Sequence, residues 1–297
     1  MFPWCLALAT QPVHAEEEPT LHFDWPESLS ASVTYEISGK RTSAEGKYSF
    51  DRKATHDLHT RVVDDDLWVT RTNRHTERDK NTPEGVSSFI YQLGDDLPNM
   101  VNTMVVDRAK GDCVGIQEGA EVRAEARTLA EARGVPQRLV TRVEATMGDI
   151  SLRTVAIDHW SSVVGLWNGQ PASDGRGTSI YSKSTLPGLI SEVSMTLTTA
   201  VDAPAVKCHS QATERGCIRL VAVSKPDSVM LGIALRDHPT MDSYDYDRTW
   251  TLITEPRTLV PHRLDVKHSI KAGYKDGGTD TTEFTQTWTW DYASAAR

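Results

Sequence analysis

A chain of 297 residues, 38% hydrophobic and 25% charged, has the make-up of an ordinary globular protein of one large domain or two smaller ones. Its net charge of −9, with both signs mixed along the chain, excludes the basic footprint that nucleic-acid phosphates demand. No stretch approaches the ~20 consecutive apolar residues of a bilayer-spanning helix, so the chain is not expected to be transmembrane.

Met1–Ala15 differs in composition from the rest of the chain. Met1 to Ala9 is apolar, and Val13-His14-Ala15 before Glu16-Glu17-Glu18 has the form of a small-residue cleavage site ahead of a charged mature start. The basic leading region of a secretory signal is lacking, so 1–15 reads as a truncated signal peptide whose true start lies upstream. Cys5 follows Phe2-Pro3-Trp4, which is no lipid-attachment context. The expected location is periplasmic or secreted, with residues 16–297 as a single α+β domain.

From His22 to Glu77 the alternation predicts four strands, Ser32–Ser38, Lys47–Lys53, His56–Val63 and Leu67–Arg74, with Gly39–Gly46 as turn. Asp64-Asp65-Asp66 reads as an acidic turn, because calcium loops place their carboxylates at alternate positions. His56 and His59 stand three apart, on opposite faces of a strand, and read as solvated histidines rather than a metal pair.

Between about 83 and 170 the pattern becomes helical. Gly85–Leu97, Glu118–Arg133, Pro136–Met147 and Ile150–Asn168 carry apolar residues at helical spacing, with short extended runs at Met100–Asp107 and Asp112–Ile116. Gly134 stops the second helix, Pro136 suits a first turn, and Asp149 suits an N-cap. His159, on an apolar stripe, reads as a core histidine.

Strands resume at Thr178–Lys183, Leu189–Thr199, Ala205–Cys208, Cys217–Ser224, Val229–Arg236, Asp245–Thr254, Pro261–Ala272 and Thr279–Tyr292. Cys208 and Cys217 flank a polar loop, and in an oxidising compartment they read as a hairpin disulfide. The weaker alternative is a thiolate metal site with Cys113 as third ligand. Otherwise Cys113 is a buried free thiol. Asp276-Gly277-Gly278 marks a tight turn between the last two strands.

Those two strands carry the candidate site. His262, Leu264 and His268 share one face of the first with Val260, Val266 and Ile270, and Phe284, Gln286, Trp288, Trp290 and Tyr292 share one face of the second. Thr285, Thr287 and Thr289 face the other way, as on a sheet with one wet side. The aromatic face is either a filled core or, if incompletely covered, a pocket for a hydrophobic small molecule or lipid. Its polar members Gln286, His262 and His268 need partners that a ligand can supply. His262 and His268 are six residues apart, too far to share an ion.

No nucleophile elbow, phosphate loop or cofactor fingerprint occurs, so the chain is not expected to carry a metal or cofactor, and nothing favours an enzyme. An exported chain whose antiparallel sheet is interrupted by helices resembles the periplasmic lipoprotein carriers of the LolA and LolB type. The resemblance spans His22 to Tyr292 as an order of elements and matches no motif residue by residue. It implies a curved half-barrel with a helical lid, holding acyl chains. The expectation is therefore a non-catalytic binder of an apolar ligand, such as a lipid or acyl chain. The alternatives are an envelope assembly or scaffold protein that meets a protein partner and, third, an exported hydrolase.

Overall fold

Period-two alternation dictates the strands, and eleven of them join one antiparallel sheet in the computed structural model, which describes residues 20–44, 46–77, 100–132, 134–172, 177–210 and 216–292. The signal-like start and the helix expected at 85–97 lie outside the described residues.

Strands β1 (Ser30–Ser43), β2 (Gly46–Val63), β3 (Asp66–Glu77), β4 (Thr103–Asp107) and β5 (Asp112–Gln117) form one meander. A second comprises β6 (Thr178–Thr185), β7 (Glu192–Val206), β8 (Cys217–Pro226), β9 (Met241–Thr254), β10 (Pro261–Tyr274) and β11 (Thr279–Tyr292). The first and last strands pair, giving the order β5-β4-β3-β2-β1-β11-β10-β9-β8-β7-β6. Its free edges are β5 and β6, so the sheet curls without closing into a barrel.

That order explains the helical insert. The chain leaves the sheet at one edge and re-enters at the other, and with strands ~4.8 Å apart the linking segment must cross the width of the sheet. Helices α1 (Gly119–Ala132), α2 (Gln137–Thr146) and α3 (Asp149–Trp160) fill that segment, and α3 runs on into a π-helical turn, Ser161–Gly165. The architecture is an α+β half-barrel with inserted helices.

The α3 residues Ala156 and Trp160, with Val163, Val164 and Trp167 beyond them, pack on the inner face in one core with Val33, Trp288, Leu264 and Leu252. Fully burying each such leucine or valine contributes roughly 1.5–3 kcal/mol. Trp25, from the segment before β1, meets Trp160 edge-on at 5.0 Å and donates its indole N–H to the Leu259 carbonyl at 2.9 Å. A smaller core of Val122, Ala126, Ala130, Val140 and Leu152 joins α1, α2 and α3.

Several expectations change. Val229–Arg236 is not a strand but helix α4 (Ser228–Arg236). Its apolar run does not alternate, and the Asp227 carboxylate accepts from the Val229 and Met230 N–H groups at 3.0 and 2.9 Å, which caps a helix. Three long strands replace the four expected before Glu77. Gly39 lies mid-strand, where a Cβ would stand 2.5 Å from the Glu283 carbonyl and 2.7 Å from the Phe50 ring, so glycine permits close approach there rather than a turn. The runs expected at Leu189–Thr199 and Ala205–Cys208 both overlap the single strand β7, which begins at Glu192 and ends at Val206. The N-cap of α3 is Gly148, and Asp149 opens the helix itself. The acidic turn is present, with Asp64 at φ 54°, as is the Gly277 turn at φ 86°.

Candidate functional site

The sheet register sets side chains in rows across the inner face. One row runs Ala54, Tyr35, Trp288, Leu264, Leu252, Leu220, Val201. Every residue in it is buried. The next runs Arg52, Ile37, Gln286, Val266, Trp250, Ala222, Thr199, and it is buried too. Two of its polar members are held by side chains: the Gln286 amide donates to the Tyr35 hydroxyl at 3.1 Å, and the Trp250 indole N–H donates to the Ser162 hydroxyl at 3.2 Å.

Burial falls at the third row, Phe50, Gly39, Phe284, His268, Arg248, Ser224, Leu197. Phe50, Phe284, His268, Arg248 and Leu197 are only half-buried. Beyond it, Tyr246, Tyr244, Ala272 and Met195 are buried again, in a separate core against Leu231, Ala234 and Leu235 of α4. The third row is therefore a trough between the core beneath α3 and the core beneath α4.

Rings dominate that trough. His268 lies edge-on to Tyr246 at 4.9 Å on one side and to Phe284 at 4.8 Å on the other. Absence of a side chain at Gly39 lets the Phe50 ring reach across β1 toward Phe284. The Arg248 guanidinium stacks on Trp250, 4.6 Å from the ring centroid. Two nitrogens there are buried without a hydrogen-bond partner among the described residues, Arg248 Nε and His268 Nε2. Burial first, and then the Arg248 charge, lowers the His268 pKa from 6.5 to about 4, so its imidazole is neutral at pH 7. Ser224 stands two strands from His268 with Arg248 between, roughly 10 Å away at ordinary strand spacing, too far to share a proton. The row can bind, and it shows no nucleophile paired with a base.

The expected site residues divide among four places. Phe284 and His268 lie in the trough, and Gln286 is one row deeper. Trp288, Trp290 and Leu264 are at most 4% exposed and form packed core. The gap bounded by Trp288, Trp290, Trp25, Trp160, His56 and Arg71 has about 10 Å³ of free space, enough for one water and no ligand. His262, fully buried, lies at the other end of β10, 3.4 Å from Glu255 and 5.2 Å from the Tyr292 ring. It neighbours Cys208 and Cys217, but their sulfurs are joined in the expected disulfide and do not form a ligand set. Cys113 is a buried free thiol, its pKa raised by burial.

His56 corrects the sequence reading. It is 3% exposed, on the inner face beside Arg71 and His159, whereas His59 is exposed on the outer face. Burial, followed by the Arg71 and Arg74 charges, lowers its pKa to about 3. His159 is a core histidine as expected, its ring 5.4 Å from that of Trp288 and its pKa driven well down by burial and by Arg71. Sequence reasoning missed Arg248 as well. The signal was legible, because Tyr244, Tyr246, Arg248, Trp250 and Leu252 alternate inward on β9 with one charge among apolar neighbours.

No family model and no curated relative matches the chain. Among solved structures it is similar to lipovitellin, from a study of lipid–protein interactions in that protein, with a TM-score of 0.41 and 8% identity. That match covers 92% of this chain and 26% of the lipovitellin chain. Another is DynF of the dynemicin biosynthesis pathway of Micromonospora chersina, with a TM-score of 0.20, 8% identity, and 96% and 94% of the two chains covered. Similarity at this level assigns neither family nor function.

Proposed function

We propose that this chain is an exported, non-catalytic protein that holds an apolar ligand, such as a lipid or acyl chain, on the inner face of its half-barrel. The observation that carries the reading is the half-buried ring row of Phe50, Phe284 and His268 between two closed cores. Ring surface left partly exposed between closed cores is the setting in which an apolar ligand is held. Phe284 and His268 line the ligand's path, with Gln286 one row beneath them. Trp288, Trp290 and Leu264 form the packed floor beneath it, and His262 with the Cys208–Cys217 disulfide ties down the far end. The disulfide supports an oxidising compartment, periplasmic or extracellular. Among the described residues no helix is long and apolar enough to cross a membrane.

Native mass spectrometry of the protein taken from its host's envelope, followed by organic extraction, tests this. A co-purifying apolar molecule is expected, reduced at least tenfold in Phe284→Ala. An apo mass with no uptake of added lipid refutes the reading and leaves a scaffold role with a protein partner.

A further inference from the structure

The trough is not uniformly apolar, and its polar groups specify what one end of a ligand must be. Arg248 and His268 are directly paired across β9 and β10, with both side chains on the inner face. Each has a buried nitrogen, Arg248 Nε and His268 Nε2, with no acceptor among the described residues. Seven buried side-chain nitrogens have no hydrogen-bond partner among the described residues, and these two belong to directly paired residues in the half-buried row, where one acceptor from a ligand can reach them. Arg248 makes no ion pair within 4 Å of a described carboxylate. Asp158 of α3 feels its charge without pairing with it, and Asp247 projects from the outer face, where Lys225 holds it at 3.2 Å. The Tyr246 hydroxyl shares a hydrogen bond with Arg248 but leaves Nε unsatisfied. Immediately beside these donors, Phe284 and Phe50 continue the row as ring surface.

An acceptor with net negative charge, attached to a hydrocarbon chain, satisfies both halves of this arrangement. We infer that the trough selects anionic amphiphiles, seating a carboxylate or phosphate head against Arg248 Nε and His268 Nε2 with the acyl chain along Phe284 and Phe50. This rests on the proposed apolar-ligand function and names its ligand class. A head at that place also removes the repulsion between Arg248 and a protonated His268, so binding favours proton uptake by the imidazole. The charges acting on that imidazole are Arg248, on the same face, and Asp247, from the outer face, while Asp158 and the Tyr246 hydroxyl lie near Arg248.

The test is calorimetric titration of the delipidated full chain with oleate, oleyl phosphate and oleyl alcohol, each below its aggregation threshold. Wild type is expected to bind at least one anion ten times more tightly than the alcohol, and the better anion tells carboxylate from phosphate. Arg248→Gln is expected to collapse the ratio of anion to alcohol affinity to near one, and Arg248→Lys to keep part of the preference. Equal affinity for alcohol and anions, or an anion affinity unchanged in Arg248→Gln, overturns the head assignment while leaving the apolar site standing. Binding of none of the three defeats the apolar-ligand reading itself. Should Arg248→Gln fail to fold, the His268 ring resonances of wild type decide: oleate is expected to raise that pKa by a unit or more, and no change refutes the contact.

Discussion

Acid should destabilise this protein through His56, and the size of the effect follows from burial. The ring is 3% exposed among Trp25, Trp160, Trp288 and Trp290, beside the Arg71 guanidinium. Desolvation, with Arg71 and Arg74 adding repulsion, sets its folded pKa at about 3 against 6.5 in the open chain. A lowered histidine pKa means that the native state holds the neutral ring, while the unfolded chain takes up a proton below pH 6.5. The contribution is therefore whole above pH 6.5 and is lost as pH falls toward 3. The slope approaches about 1.4 kcal/mol per pH unit below pH 5.5, which integrates to about 2.3 kcal/mol between pH 6.5 and 4.5. Against a total stability of roughly 5–15 kcal/mol that is a large share. With a urea m-value of about 3 kcal/mol/M it lowers the midpoint by about 0.8 M. The assay is urea unfolding followed by tryptophan fluorescence at four pH values, for wild type and His56→Gln. The variant is less stable at pH 7.5 but flatter between pH 6.5 and 4.5. Parallel profiles for the two proteins refute the claim that His56 is buried and neutral.

Leu264 has no exposure and sits mid-row between Trp288 and Leu252, where collapse onto a cavity is resisted from both sides. Leu264→Ala is expected to cost about 2–5 kcal/mol in urea unfolding, and a loss under 1 kcal/mol contradicts its placement in the core. Cys208 and Cys217 close a loop with a sequence separation of nine. Cys208→Ser with Cys217→Ser is expected to lose about 2–3 kcal/mol of stability, and an unchanged urea midpoint denies the bridge a stabilising role.

Much of the sheet was legible because strands announce themselves locally. The inward sets on β10 and β11 follow from alternation alone, and the register pairs Leu264 with Trp288 and His268 with Phe284 on one face. The Cys208–Cys217 bridge was legible because its two cysteines flank one polar loop. Where local pattern misled, a competing local interaction or a distant neighbour had decided the outcome. Residues Val229–Arg236 look β-like by composition, yet the Asp227 cap and packing of Leu231, Ala234 and Leu235 on a separate core make them a helix. Gly39 looks like a turn residue, yet it is small because Phe50 and Glu283 approach it. His56 was read as wet because period two separates it from His59 but does not say which of the two faces inward.

The amino-acid sequence by itself determined the strand periods, the wet and dry faces of the last two strands, the turn at Gly277 and the disulfide. These depend on residues near one another in the chain, where backbone geometry fixes the relation. Tertiary structure alone decided that β1 pairs with β11, that Arg248 faces His268, and that Phe50 lies in the same row as Phe284. Each of those joins separate strands through a register set by the whole sheet. Trp288 and Trp290 became floor, and the trough opened one row away, because α3 and α4 cover neighbouring rows of the inner face and leave the row between them half-exposed.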